Sequence, residues 1–281
     1  MICSLTGEIR YHTLMDEKER ESVSKKADRK SSIMQMLQET PSLHIAELAT
    51  YFNVAEMTVR RDIHELKKLG FVEQRLGVVF PAKNSARDTM YRLYQEALSQ
   101  TEAKEKISRF ASSLIESNDS IIIDAGSTTE RMVKYLPNTP TLMIICYNYN
   151  ILEQVIAHGH ENVLFLGGFY HPFDQTFVSP ASISLLESVR ANTVFFSASG
   201  VHQSLGITCG HNYNVPIKKT AYASSSEKIL LVDSTKFGKV AGSYFAQLEE
   251  MDTVITDSGI PDTWRTYIRD DLGKTLYVVD E

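Results

Sequence analysis

Residues 53–75 read NVAEMTVRRDIHELKKLGFVEQR, and this stretch constrains the fold more than any other part of the chain. Val59, Ile63 and Leu66 fall at i, i+4 and i+7, the spacing of one buried stripe along an α-helix. That register leaves Met57, Thr58, Arg60, Arg61, His64 and Lys67 outside the stripe. Upstream, Ile45, Leu48, Ala49 and Phe52 mark the apolar side of a second helix that Ser42 or His44 can cap, and Asn53-Val54 supplies a turn. Ile33, Met36 and Leu37 predict a further helix over 28–38, ended by Thr40-Pro41. The helix with the two arginines should run from about Ala55 to Leu69 and stop at Gly70. Beyond it, Phe71–Arg75 and Val78–Phe80 flank Leu76-Gly77, the pattern of a short β-hairpin. Three helices and a hairpin make a winged helix-turn-helix. An exposed helix start with adjacent arginines suits phosphates and guanine edges in a major groove, and Arg75 near the hairpin tip can reach the backbone or the minor groove.

At 281 residues the chain has room for two ordinary domains, and 43% hydrophobic with 23% charged residues points to packed globular units. A net charge of −6 argues against a nonspecific nucleic-acid coat. The charge is uneven, however: residues 25–87 hold 11 Lys and Arg against 7 Asp and Glu, whereas residues 88–281 hold 15 against 23. The positive balance lies where phosphate contact is expected. Cys3, Cys146 and Cys209 are odd in number and widely spaced, which predicts no disulfide framework, no metal site and a reducing cytoplasm. There is no run of 18 apolar residues and no secretory leader pattern, so neither a membrane span nor export is expected. Residues 1–26 read as a disordered extension or a mis-set translation start, with Met15 as the alternative start and the translation of residues 1–14 left open.

Residues 27–82 thus form the expected DNA-binding domain, and 83–101, polar and helix-compatible, a connector. Residues 102–281 change character. Apolar runs at 121–123, 142–145, 163–166, 193–196, 229–232, 253–255 and 276–279 alternate with helical segments at 104–115, 129–136, 151–157, 181–189 and 215–224. Unbroken Ile, Val and Leu runs between helices predict an α/β domain whose mostly parallel sheet is buried on both faces. Ligands of such sheets sit beyond the carboxyl ends of the strands. Four loops there carry suitable chemistry: Asp124-Ala125-Gly126-Ser127-Thr128-Thr129, Gly167-Gly168, Ser197-Ala198-Ser199-Gly200, and Asp233-Ser234-Thr235-Lys236-Phe237-Gly238. Glycine followed by hydroxyls at a helix start offers donors to a phosphate. With carboxylates and a lysine added, the set suits a phosphorylated polyol.

These residues also carry a resemblance. Ile45–Ala49, Met57-Thr58-Val59-Arg60-Arg61-Asp62 and Arg75-Leu76-Gly77 are similar to the DNA-binding domain of the DeoR family of transcriptional regulators. Lys106-Ile107, Asp124–Thr129, Asn148, Leu166-Gly167-Gly168, Gly206-Ile207-Thr208, Lys218 and Asp233–Gly238 match its second domain, so the likeness spans roughly residues 28–257. It implies a two-domain α+β protein: an N-terminal winged helix-turn-helix and a C-terminal domain related to ribose-phosphate isomerases and CoA transferases. It implies a non-enzymatic repressor that needs no cofactor, binds double-stranded operator DNA, forms homo-oligomers through the second domain, and is released by a sugar phosphate. Cys146-Tyr147 with Asn150, and Ser197 through His202, look most like family members that repress deoxyribonucleoside operons. The implied effector is deoxyribose 5-phosphate, other pentose or hexose phosphates being the alternatives, with Tyr147, Asn148 and Lys218 joining the four loops as effector residues.

Three positions depart from the family pattern: Ala55 replaces a serine at the recognition-helix start, Asn214 a glutamate four residues before Lys218, and Ser179 the glycine of a Gly-Pro pair. Two rival readings remain. A phosphosugar isomerase carrying a winged helix would draw its acid and base from Asp124, Asp233 and Lys236. An activator, or a repressor needing its ligand as co-repressor, would differ only in the conformer the ligand prefers.

Overall fold

The computed structural model describes residues 29–30, 32–34, 36–37, 40, 42–68, 72–81 and 100–279. The expected N-terminal extension, the Gly70 helix stop and nearly all of the connector lie outside them. The chain divides into two units, residues 1–91 and 92–281.

In the first unit, positions 29–30, 32–34 and 36–37 are helical, and Ile33, Met34 and Leu37 are buried. The helix Ile45–Tyr51 buries Ile45, Leu48 and Ala49, while Phe52, expected on its apolar side, is the half-buried C-cap. His44 is its N-cap, but with no side-chain bond. The open helix-start amide of Ile45 instead donates to the carbonyl of Gly77 in the wing turn, at 3.0 Å. At the other end Asn53 turns left-handed at φ 50°. The amides of Asn53 and Val54 donate back to Thr50 and Ala49 at 3.2 and 3.0 Å, a Schellman stop with asparagine where glycine is usual. The helix Glu56–Lys68 then buries Val59, Ile63 and Leu66 completely. Asp62 also points inward, ion-paired with Arg29 at 2.6 Å, and Lys30 pairs with Glu65, so two ion pairs tie the first helical stretch to this one. Strands β2 (Val72–Arg75) and β3 (Val78–Pro81) form the hairpin. A short strand that periodicity did not show, β1 (Leu43–His44), adds to β3 and makes a three-stranded sheet.

The second unit is built on a seven-stranded sheet, parallel throughout, of β4 (Ser120–Ile123), β5 (Met143–Cys146), β6 (Val163–Phe165), β9 (Ala191–Ser197), β12 (Ser225–Leu231), β14 (Thr253–Asp257) and β15 (Thr275–Val279). Their spatial order is β15-β14-β12-β9-β4-β5-β6. Alternate residues of each strand enter different cores. Ile122, Ile145, Val194, Phe196, Leu230 and Val254 belong to one, with Leu186, Ile217, Ala221 and Trp264 from helices Pro180–Glu187, Val215–Ala223 and Asp262–Thr266. Ile121, Ile123, Ile144, Phe195, Ile229, Leu231 and Ile255 belong to the other, with Ile107, Met132 and Ile151 from helices Thr101–Ser113, Thr129–Met132 and Tyr149–Ala157. Two small antiparallel additions had no clear signature in the sequence: the hairpin β7 (Phe169–His171) with β8 (Thr176–Val178), and the sheet of β10 (Gly200–His202), β11 (Gly206–Cys209) and β13 (Ser243–Ala246). No helix among the described residues is long and apolar enough to cross a membrane. The chain starts the sheet at β4, adds β5 and β6 on one side, then returns to β9 and continues outward on the other. The connections reverse direction between β4 and β9, and that switch point opens the crevice in which such sheets bind ligands.

Candidate DNA-reading and effector sites

On the helix Glu56–Lys68, Met57, Arg60, Arg61, His64 and Lys67 are exposed together and Thr58 is half-buried. Arg60 lies one turn from Glu56, with their charged groups 3.0 Å apart on the open surface. Arg75 is exposed on the wing and rests on Glu73 at 2.9 Å. The face is therefore cationic, with its two outer arginines held by exposed carboxylates that water or phosphate can replace.

At the β4–β9 switch point, Asp124 is fully buried. One of its oxygens accepts the Tyr147 hydroxyl; the other accepts the Lys218 ammonium and the Ser197 amide, the last at 2.9 Å. Lys218 also donates to the Ser197 carbonyl at 3.2 Å and stands 4.7 Å from the centre of the Phe245 ring. Burial, reinforced by the Asp124 charge, pushes the Tyr147 phenol well above its usual range. Residues 23 and 94 positions from Asp124 thus converge on one carboxylate. The loop above it is shaped by Thr129, whose hydroxyl donates to the carbonyls of Asp124 and Gly126 at 2.5 and 3.0 Å. Glu130 donates back to Gly126 at 2.9 Å, so the amides of Ser127, Thr128 and Thr129 are those a helix start leaves open. Ser127 is half-buried, whereas Thr128 is buried and its carbonyl accepts Ser108 at 2.6 Å.

The other sequence-selected residues fall around this centre rather than in it. Gly167 and Gly168 follow β6, and Asp233 and Lys236 follow β12; each strand lies two places from β4, roughly 10 Å at about 4.8 Å per strand. Asp233 is buried and accepts the Thr235 amide at 3.1 Å, a turn-capping job, while Lys236 is half-buried. Asn148 caps its helix, its side-chain oxygen accepting the Ile151 amide at 3.2 Å. Three of the loop glycines are closely approached by protein. A Cβ on Gly126 would lie 2.1 Å from Ser197 Oγ, on Gly168 2.7 Å from the Val178 backbone, and on Gly200 2.5 Å from the Lys239 carbonyl. Only at Gly167, among these four, is the space open. Ser199 is half-buried, its amide bonded to the Thr208 carbonyl at 2.9 Å.

The family model of the DeoR-like helix-turn-helix domain matches residues 29–81, and that of the DeoR C terminal sensor domain matches residues 99–258. The chain belongs to the DeoR family of transcriptional regulators. The lactose phosphotransferase system repressor of Staphylococcus epidermidis is 31% identical over 83% of this chain and 92% of its own length. The deoxyribose operon repressor of Escherichia coli strain K12 is 26% identical over 90% of this chain and 99% of its own. Ribose 5-phosphate isomerase A from Methanocaldococcus jannaschii is a distant structural likeness, at 17% identity and a TM-score of 0.37, covering 50% of this chain and 55% of that one. As a DeoR regulator the chain is DNA-binding, and its larger unit is a sensor.

This DeoR sensor also holds a polar cluster that sequence reading missed. Asp174, in the β7–β8 turn, accepts the Asn214 side-chain amide and the Thr176 hydroxyl, the latter at 2.7 Å. Asn214 therefore serves Asp174 and makes no bond to Lys218, whose charge is met by Asp124. The Tyr213 ring stacks with those of His171 and His211, with centroids 3.9 and 5.0 Å away. Burial and then the Asp174 charge raise the Tyr213 phenol. The only hint in the sequence was the crowding of aromatic, His and Asp residues in HPFDQTF, which strand and helix periodicity leave unread.

Proposed function

We propose that this DeoR regulator is a repressor that binds operator DNA through the helix Glu56–Lys68 and is released when a phosphorylated sugar occupies the β4–β9 crevice. The observation that carries the reading is the convergence of Tyr147, Lys218 and Asp124 beneath the open amides of Ser127–Thr129. A phosphate suits those amides, and a sugar hydroxyl would take the place of one of the bonds that Asp124 and Lys218 now make to Tyr147, Ser197 and each other. Ser199 and Gly167 edge the crevice, and Asn148, Asp233, Gly126, Gly168 and Gly200 hold its loops in place. On the DNA side Arg60 and Arg61 supply base and phosphate contacts, and Met57, Thr58, His64, Lys67 and Arg75 fix the register.

Deoxyribose 5-phosphate is the effector of choice, supported by the full-length similarity to a deoxyribose operon repressor. A homo-oligomer would set two such helices on successive major grooves. The isomerase reading is weaker because Asp124 already accepts three donors and Asp233 caps its own turn, which leaves neither as a ready base. Fluorescence anisotropy of the protein on its own upstream DNA, titrated with deoxyribose 5-phosphate at fixed salt, tests the proposal. Release by the sugar phosphate with free deoxyribose inert is expected. DNA binding indifferent to that compound and to other pentose and hexose phosphates would remove the sensor reading and leave the DNA reading.

A further inference from the structure

The tip of the wing carries a residue that its backbone does not favour. Leu76 has φ 49° and Gly77 φ 80°, two successive left-handed residues joining β2 to β3. Such a two-residue turn favours asparagine, aspartate or glycine at its first position, because their small or self-bonding side chains tolerate that conformation. Leucine has neither property. Leu76 is fully exposed, so no packing against the described residues offsets the strain. The turn itself is well anchored: the Gly77 carbonyl accepts the Ile45 amide at 3.0 Å, β1 pairs with β3, and Val72 and Val79 are buried beneath. A strained, exposed apolar side chain on a rigid base fits a contact made outside the chain.

We propose that Leu76 enters the minor groove of operator DNA as an apolar wedge, with Arg75 on the flanking phosphates. The inference rests on the DNA-binding function of the DeoR family. A two-residue turn is the narrow end of a two-stranded ribbon, and the minor groove, about 6 Å wide, offers sugar walls and base steps between which leucine can insert. The hairpin directly follows the recognition helix, which packs against β2, so both elements belong to one DNA-facing unit. Arg75 beside the leucine supplies a cation for the phosphates that border the groove.

The test compares the full-length protein with Leu76→Asn and Arg75→Ala on duplexes from its own upstream region, carrying 2-aminopurine at steps flanking the footprint. Asparagine suits the left-handed turn, so thermal melts should show Leu76→Asn at least as stable as the parent. Leu76→Asn is expected to weaken binding about tenfold, leave the slope of log K against log salt unchanged, and abolish the 2-aminopurine signal of unstacking. Arg75→Ala should weaken binding and lower that slope by about one. Parental affinity and parental unstacking in Leu76→Asn would overturn the wedge while the DNA reading stood. A change in the oligomer mass of Leu76→Asn without DNA would assign the leucine to a second copy of the chain and also overturn it. Absence of duplex binding by the parent would remove the DNA reading itself.

Discussion

Asp124 carries a fully buried carboxylate whose partners come from distant parts of the chain. It follows an Ile-Ile-Ile strand and precedes Ala-Gly-Ser-Thr-Thr, so its place at a strand end is plain. Its partners are not, because Lys218 lies 94 residues away on another helix. Both side chains are almost wholly buried, so each charge depends on the other. Lys218→Met should strand the Asp124 carboxylate and cost about 3–5 kcal/mol of stability. The double variant Asp124→Asn/Lys218→Met, which strands no charge, should cost less than the single one. Denaturant unfolding of the three proteins measures this; equal losses in both variants would show that the pair contributes through packing alone.

Among the elements, the recognition helix was legible from its 3.6-residue stripe, and the seven core strands from their aliphatic runs. The small hairpin β7–β8 and the strands β10, β11 and β13 were not. They are only three or four residues long, and their side chains mix aromatic, polar and glycine, so neither period develops. One element is visibly short of its best sequence. The helix Glu56–Lys68 starts at Ala55, whose carbonyl accepts the amides of Thr58 and Val59 at 2.9 and 3.4 Å but whose side chain offers no oxygen to the open amides. Asn53, two residues earlier, is occupied in forming the left-handed stop of the preceding helix. Ala55→Ser should therefore add about 1 kcal/mol, raising the melting temperature of a domain this size by roughly 4–8 °C, with operator affinity within about twofold of the parent. Differential scanning calorimetry of the full-length protein reads the first, and anisotropy the second; an unmoved N-terminal transition would mean the helix start is already satisfied.

At the scale of the whole molecule, the proposed function joins two units that are separate in their cores, so effector and operator communicate only if both bias the same equilibrium. Thermodynamic linkage then requires reciprocity. If deoxyribose 5-phosphate weakens operator binding by some factor, saturating operator must weaken deoxyribose 5-phosphate binding by the same factor, each tenfold corresponding to about 1.4 kcal/mol. Isothermal titration of the sugar phosphate into free protein and into the protein–DNA complex should give dissociation constants in that ratio. Effector affinity unchanged by DNA, alongside release of DNA by effector, would point to competition for a different species rather than to coupling within one.

The chain's order of helices, hairpin and strands follows from local physics. A stripe at 3.6-residue spacing buries itself as a helix, and short aliphatic runs alternating with helices bury themselves as strands covered on both faces. The cationic helix face is local in the same sense, since exposure on a helix follows from what its stripe buries. Strand order, the β4–β9 switch point and the meeting of Asp124, Tyr147 and Lys218 are decided by which surfaces pack, and no short window contains them. The glycines make the same point. The sequence says where a side chain is absent, but only the folded chain shows that Ser197, Val178 and Lys239 occupy the room at Gly126, Gly168 and Gly200, because close approach is a property of two segments at once.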